Sequence, residues 1–314
     1  YKAAKAAGIK PILGCEVYVA PGSRFDKEMG KEENRYYHLV LLAENQEGYQ
    51  NLIKIVSLGF VDGFYYKPRV DKEILEKYHE GIIALSACLA GEVARTVTRG
   101  FYEEAKAAAL SYEKIFGKGN FFLELQDHGI PEQKHVNQQL LRMSRETGIQ
   151  LVVTNDVHYT YDTDAEAHDI LLCVQTGKRL QDEDRMRYEG GQYYVKSPEE
   201  MQELFPYIPE ALENTHKIAE RCKVEIEFGV TKLPKFDVPK GYTAWKYLNR
   251  LCFEGLQERY PECTEDLKER LNYELGVIKN MGYVDYFLIV WDFIRYARDH
   301  DIMVGPGRGS AAGS

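Results

Sequence analysis

Five side chains of metal-ligand type sit within or beside apolar runs of the sequence. Glu16 lies in Gly14-Cys15-Glu16-Val17-Tyr18-Val19, where a carboxylate among apolar neighbours is costly unless something pairs with it. His38 opens His-Leu-Val-Leu-Leu-Ala, and Cys88 comes just after Ile82-Ile83-Ala84-Leu85-Ser86. Asp156 and His158 follow Leu151-Val152-Val153-Thr154; two residues apart, they share one side of a locally extended chain. Imidazole, carboxylate and thiolate together suit Zn²⁺ or a similar transition metal. Several such ions side by side activate water and clamp a phosphate, which is the chemistry of phosphoester hydrolysis. Each residue taken singly has a plainer meaning: a histidine opening a strand is usually hydrogen-bonded structure, and a lone cysteine after a strand is usually packing. Spacing alone leaves both readings open. His128, after Glu124-Leu125-Gln126-Asp127, also follows a strand but ranks below the five, and His79, His135, His168, His216 and His300 read as surface or helix-packing residues.

A second constellation is Val304-Gly-Pro-Gly307-Arg308-Gly309-Ser310-Ala-Ala-Gly-Ser314. Glycines free backbone N–H groups to face an anion, Arg308 can fork onto phosphate oxygens and Ser310 offers a hydroxyl. It is no Walker A loop, since the Lys-Ser/Thr pair is missing at the required spacing. The competing meaning is a flexible Gly/Ser linker. Against a linker stands the helical apolar pattern just before it, Tyr286, Phe287, Ile289, Val290, Phe293, Ile294 and Ala297 within Tyr283 to Arg298, which predicts a packed helix leading into a positioned loop.

These residues must be held by elements, and the pattern supplies them. Predicted strands run over Lys10–Ala20, Tyr37–Ala43, Ile82–Ser86, Asn120–Gln126 and Gln150–Thr154, with helices between at Glu47–Leu58, Asp71–Tyr78, Gly91–Thr98, Phe101–Phe116 and Glu132–Thr147. Gly81, Gly117, Gly119 and Gly148 punctuate the joins. Such alternation argues an α/β fold with a parallel sheet, open or closed into a barrel, in which Cys88, Asp156 and His158 fall at C-terminal strand ends, where barrel sites are built. Beyond Thr154 the pattern turns helical. Ser197-Pro198-Glu199-Glu200 reads as an N-cap with Pro at the first helical position, Pro209 to Cys222 as a further helix and Val224 to Phe228 as extended. The Pro-rich stretch Leu233 to Gly241 reads as a linker. Residues 232–314 hold 12 basic and 12 acidic side chains, so the whole net charge of −9 lies in the first 231 residues. We place a domain boundary near residue 230.

The composition, 44% hydrophobic and 28% charged, excludes a collagen-like, disordered or disulfide-scaffold chain. The negative net charge removes any simple argument from a basic surface to nucleic acid. The six cysteines contain no CxxC pair, which fits reduced thiols in a cytoplasmic protein, and no run approaches the roughly 18 apolar residues of a membrane span. The start in Tyr-Lys-Ala-Ala-Lys-Ala-Ala-Gly8, a helix already in progress, and the end in Gly-Ser-Ala-Ala-Gly-Ser read as a fragment cut at both ends.

Several ordered motifs resemble one family closely. Gly8-Ile-Lys-Pro-Ile-Leu-Gly-Cys-Glu16, Gly48-Tyr-Gln-Asn-Leu52, Thr154-Asn-Asp-Val-His158, Ile208-Pro-Glu-Ala-Leu-Glu-Asn-Thr215, Leu233-Pro-Lys-Phe236, Gly282 to Val290 and Val304 to Ser310 follow in the order of the alpha subunits of bacterial DNA polymerase III, the C-family replicative polymerases. The resemblance implies a PHP (polymerase and histidinol phosphatase) domain over 1–230, a distorted β/α barrel, followed over 231–314 by the start of a polymerase β-like palm. It implies a trinuclear site of nine ligands, holding Zn²⁺ or Mn²⁺; Glu16, His38, Cys88, Asp156 and His158 match five, and the other four belong to segments preceding Tyr1. Activity there would be that of a 3′–5′ exonuclease or a related phosphoesterase. Gly307, Arg308, Gly309 and Ser310 would hold nucleotide phosphates, while the polymerase aspartates, which bind Mg²⁺, follow Ser314, so the fragment alone is not expected to polymerise DNA. Implied partners are primer–template DNA, deoxynucleoside triphosphates, a sliding clamp, a clamp loader and a proofreading exonuclease. Two alternatives are a stand-alone PHP phosphatase and a metal-free PHP scaffold that docks a separate exonuclease.

Overall fold

The computed structural model describes residues 1–28, 36–230 and 232–305. Cα packing separates two compact units, Tyr1–Ile226 and the residues from Glu227 onward.

The first unit is built on a six-stranded sheet in the order β3-β1-β2-β4-β5-β6. Its strands are β1 (Gly14–Val19), β2 (Tyr37–Ala43), β3 (Arg69–Val70), β4 (Ile82–Leu85), β5 (Phe121–Leu125) and β6 (Leu151–Val153). Five of them lie on the predicted runs; β3, only two residues long, was not foreseen. The sheet is mixed rather than parallel. β4, β5 and β6 run parallel, joined by the helices α4 (Glu92–Thr98), α5 (Tyr102–Phe116) and α6 (Pro131–Thr147), whereas β2 is antiparallel to both β1 and β4. The sequence between β1 and β2 carries no helical pattern, and without a crossover helix neighbouring strands pair antiparallel. The reversal matters for the site. It brings the N-terminal end of β2, where His38 sits, beside the C-terminal end of β1.

Alternation sorts the strands into two faces. Val17, Val19, Leu39 and Leu41 face a cluster formed with Leu52 and Ile55 of α2 (Gln46–Val61), Val93 and Val97 of α4, Tyr112 of α5 and Leu140 of α6. On the opposite face Ile83, Leu85, Phe122 and Val152 pack with Ile218 of α9 (Pro209–Arg221) and with Cys222. Glu16 and His38 belong to this second face, as diagonal neighbours across the β1–β2 ladder, where Tyr18 pairs with His38 and Glu16 with Val40. The helix ends follow their sequence signals. Gly8, Gly81, Gly117, Gly119 and Gly148 all adopt positive φ, and Ser197 and Glu200 exchange the two hydrogen bonds of a capping box ahead of α8 (Pro198–Leu204). Val224 to Phe228 forms no strand. All six cysteines are free.

In the second unit α10 (Ala244–Arg259), α11 (Glu265–Asn280) and α12 (Val284–Asp299) gather around Tyr247, Leu248, Leu275 and Leu288, with Phe236 and Trp291 at the margin. α12 is the helix expected ahead of the Gly-rich loop, but only Leu288 of it is buried; Tyr286, Phe287 and Phe293 are exposed. Gly307, Arg308, Gly309 and Ser310 lie outside the described residues. Among the described residues no helix is long and apolar enough to cross a membrane.

Candidate metal centre

Three unlike donors converge where β1, β2 and the end of β4 meet. The His38 Nδ1 atom lies 3.0 Å from Glu16 Oε1 and 3.6 Å from Cys88 Sγ, and one ligand atom from each of the three residues falls within 4.8 Å of the others. Strand pairing fixes Glu16 and His38; Cys88 is placed by the chain leaving β4. Ala87 takes a left-handed φ of 63°, the Gly91 N–H bonds the Cys88 carbonyl at 2.8 Å, and the His38 N–H bonds Ala90 O at 3.1 Å. Gly91 has no room for a side chain, because a Cβ there would stand 2.2 Å from the Ser86 carbonyl oxygen. Gly91→Ala must therefore open the turn that presses Cys88 toward His38. We expect a stability loss of about 1–3 kcal/mol from overpacking, together with weaker metal uptake, read by denaturant titration and by metal analysis of the same samples.

Asp156 and His158 form a second pair at the end of β6. Asp156 has a left-handed φ of 44°, and the His158 backbone N–H donates to Tyr193 O at 2.9 Å. His158 Nδ1 lies 2.7 Å from the Asp156 carbonyl oxygen. A carbonyl only accepts, so Nδ1 carries the proton and Nε2 keeps its lone pair, the tautomer a metal-binding imidazole needs. This pair is not within bonding distance of the first three donors, yet the Asp156 charge acts on Cys88.

Burial pushes the Cys88 thiol up to about 12; the charges of Glu16, Asp156 and Glu124 add to this, and the Ala90 backbone hydrogen bond opposes it. Without a cation the thiol keeps its proton beside these three carboxylates. With a cation bound the local logic inverts and the thiolate becomes the stable form. The donor set of N, O and S atoms thus fits a metal ion.

Four residues around the centre were not singled out as site residues by the sequence reading. Glu124, at the C-terminal end of β5, is buried, and its carboxyl is raised to about 7, chiefly by desolvation. His168 of α7 (Ala165–Thr176) meets the His158 ring at 5.6 Å, so it is no plain surface histidine. Tyr188 and Tyr193 close around the same ring, at 4.3 and 5.6 Å. His128 is buried with both ring nitrogens engaged, Nε2 by Asn155 O and Nδ1 by Gln133, each at 2.8 Å. It is a structural residue that stacks on Tyr193.

Comparison with known proteins shows what the chain is similar to. Residues 1–128 match the family model for the PHP domain, and residues 246–314 match that for the bacterial DNA polymerase III alpha NTPase domain. The whole chain aligns with the DNA polymerase III subunit alpha of Borreliella burgdorferi at 49% identity, covering 28% of that protein, and with that of Treponema pallidum at 47%, covering 27%. The subunit of Thermus aquaticus is 40% identical over the whole chain, which covers 31% of it. The chain therefore spans less than a third of the length of these relatives. Two unlike domain models met in one order, and relatives matched from Tyr1 to Ser314, make the whole chain similar to one part of the bacterial DNA polymerase III alpha subunits.

Proposed function

We propose that this chain is the PHP domain (residues 1–230) and the start of the palm (231–314) of a cytoplasmic replicative DNA polymerase, and that its PHP domain hydrolyses phosphoesters as a 3′–5′ exonuclease. The observation that carries the hydrolytic reading is the convergence of Glu16, His38 and Cys88 within 4.8 Å. Asp156 and His158 complete the ligands this chain contributes, and Zn²⁺ or Mn²⁺ suits a set that mixes imidazole, carboxylate and thiolate. Bound ions supply a water of lowered pKa and a clamp on the phosphate oxygens. The chain's own part is to hold the donors: the β1–β2 ladder fixes Glu16 and His38, and the Gly91 turn fixes Cys88.

In the palm, Gly307, Arg308, Gly309 and Ser310 would hold the phosphates of a deoxynucleoside triphosphate through backbone N–H groups, the guanidinium and the hydroxyl. Polymerisation by the whole subunit would use Mg²⁺ held by residues beyond this chain, on primer–template DNA. A sliding clamp, a clamp loader and a proofreading exonuclease are its proposed protein partners. A stand-alone phosphatase is disfavoured by the match of residues 246–314 to a polymerase domain model.

The test is metal analysis by mass spectrometry on the full-length subunit, paired with hydrolysis of a 3′-labelled single-stranded oligonucleotide. More than one ion per chain, lost with the nuclease activity on chelation and restored by Zn²⁺ or Mn²⁺, is the expected result. A protein that holds no stoichiometric metal would leave the PHP domain as a scaffold.

A further inference from the structure

Between α2 and β3 the chain makes a short loop, residues 62–68, whose base is locked. Arg69, 0% exposed, lays its guanidinium across that base. Its Nε donates to Gly63 O at 3.3 Å, and one terminal nitrogen donates to Arg24 O at 3.3 Å and to Asp26 O at 2.6 Å. The Arg69 backbone N–H closes onto the same Gly63 carbonyl at 3.3 Å. Gly63 has no room to be larger, because a Cβ there would stand 1.8 Å from the Arg69 carbonyl oxygen. At the tip Tyr66 takes a left-handed φ of 61°, and the Tyr65 N–H bonds Lys67 O at 3.0 Å. A non-glycine residue holds that conformation only where its surroundings enforce it.

What this loop presents to the metal centre is Lys67. Its ammonium lies 5.8 Å from the centre of the Tyr18 ring, and Tyr18 stands two residues along β1 from Glu16, on the same sheet face. The Tyr18 ring is 5.2 Å from the His38 ring and 4.6 Å from that of Tyr36, which lies nearly parallel to His38 at 6.0 Å. One aromatic ring thus separates a lysine ammonium from the imidazole on which Glu16 and Cys88 converge. The first 231 residues carry the whole net charge of −9, yet among the described residues no carboxylate forms an ion pair with Lys67. A lysine kept only to balance nearby acids would pair with one of them. A cation beside a floor of aromatic rings is how proteins hold a single nucleic-acid strand, the cation on a backbone phosphate and the rings under bases or sugars. A small ester seated on the metal has no second phosphate to offer Lys67; a strand has.

Resting on the hydrolytic reading above, we propose that Lys67 holds the phosphate next to the scissile one, so that the centre is built for a nucleic-acid strand that crosses Tyr18 toward this loop. The test uses the metal-loaded full-length subunit and two substrates, a 3′-labelled single-stranded oligonucleotide and bis(p-nitrophenyl) phosphate, a diester with a single phosphate. Lys67→Met should keep the wild-type number of ions and the wild-type rate on the small diester. On the oligonucleotide its KM should rise about tenfold, as loss of a hydrogen bond to a charged acceptor requires. The slope of log kcat/KM against log salt should become shallower by about 0.7, one single-strand phosphate contact. Lys67→Arg keeps the charge and should stay near the wild type. Lys54→Met removes the same charge from another lysine–tyrosine contact, with Tyr78, and should change neither substrate. Unchanged oligonucleotide kinetics in Lys67→Met overturn the inference while leaving the hydrolytic reading intact. Equal losses on both substrates, or loss of metal, also overturn it, by making Lys67 a support of the centre itself. So does an equal effect of Lys54→Met, which would reduce the result to net charge. A wild-type subunit without metal or hydrolysis fails the hydrolytic reading, and the inference falls with it.

Discussion

Replacing His38 with alanine should empty the metal centre and lower phosphoester hydrolysis by on the order of a hundredfold or more, while the protein stays folded. His38 Nδ1 is the atom on which Glu16 and Cys88 converge, at 3.0 and 3.6 Å. Without it the remaining neighbours are an exposed carboxylate and a thiol that holds its proton up to about 12, a poor pair of ligands. The fold loses little, because the imidazole is half-buried and the His38 backbone keeps its bond to Ala90 and its place in the β1–β2 ladder. Metal content by mass spectrometry and secondary structure by circular dichroism separate the two effects. Full metal occupancy in a folded His38→Ala protein would refute the centre. The same thiol gives the pH dependence its sign. Metal can take Cys88 only as thiolate, so uptake expels a proton at any pH below about 12. Apparent metal affinity should therefore rise with pH, by about tenfold per unit for each proton expelled.

How much of this was legible in the sequence depends on whether a feature is local. The five longer strands carry their own β-branched and apolar runs, and the helix ends carry Gly or Ser-Pro-Glu-Glu signals, so these could be read one at a time. β3 could not be, since Arg69–Val70 is too short to show a period. The direction of β2 was hidden for a related reason: alternation tells which face a residue takes, not which way its strand runs. The chemical types of Glu16, His38, Cys88, Asp156 and His158 marked them as candidates, but only the reversal of β2 explains why a histidine at the start of a strand meets a cysteine beyond the end of another. Tyr188 and His168 were illegible because nothing near them in sequence resembles a site; the Asp169–Arg185 fork and the His158–Tyr193 bond bring them there. The apolar pattern of α12 was readable as a helix, but not what would cover Phe287 and Phe293, which are exposed among the described residues.

Glu124→Gln should make the metal-free protein more stable, and only where the wild-type carboxyl is ionised. Glu124 Oε1 accepts from Gln126 Nε2 at 3.1 Å and from the Thr154 hydroxyl, but Oε2 is buried with no partner. Desolvation, reinforced by the Asp156 charge and opposed by these hydrogen bonds, raises the carboxyl from 4.5 to about 7. Below 4.5 the folded and unfolded chains both hold the proton, and the residue has no effect on the pH dependence. Between 4.5 and about 7 the folded state keeps a proton that the unfolded state has released, so stability falls as pH rises through this window. Above it the ionised carboxylate costs the fold on the order of 3 kcal/mol, at about 1.4 kcal/mol per unit of pKa. An amide of the same shape keeps an oxygen for Gln126 and Thr154 and carries no charge. In EDTA, urea titrations at about pH 8 should then show Glu124→Gln the more stable by about 3 kcal/mol, with the gap closing at about pH 4.5. An equal difference at both pH values would mean that packing, not ionisation, sets the effect. A metal at the proposed centre would give a reason to keep a destabilising acid at this position. Glu124 acts on Cys88 and feels Asp156, so a cation bound to those ligands lowers the Glu124 pKa and recovers part of the cost. The stability gap between Glu124→Gln and the wild type should accordingly narrow on metal loading, and a gap that metal does not change would place Glu124 outside the field of the centre.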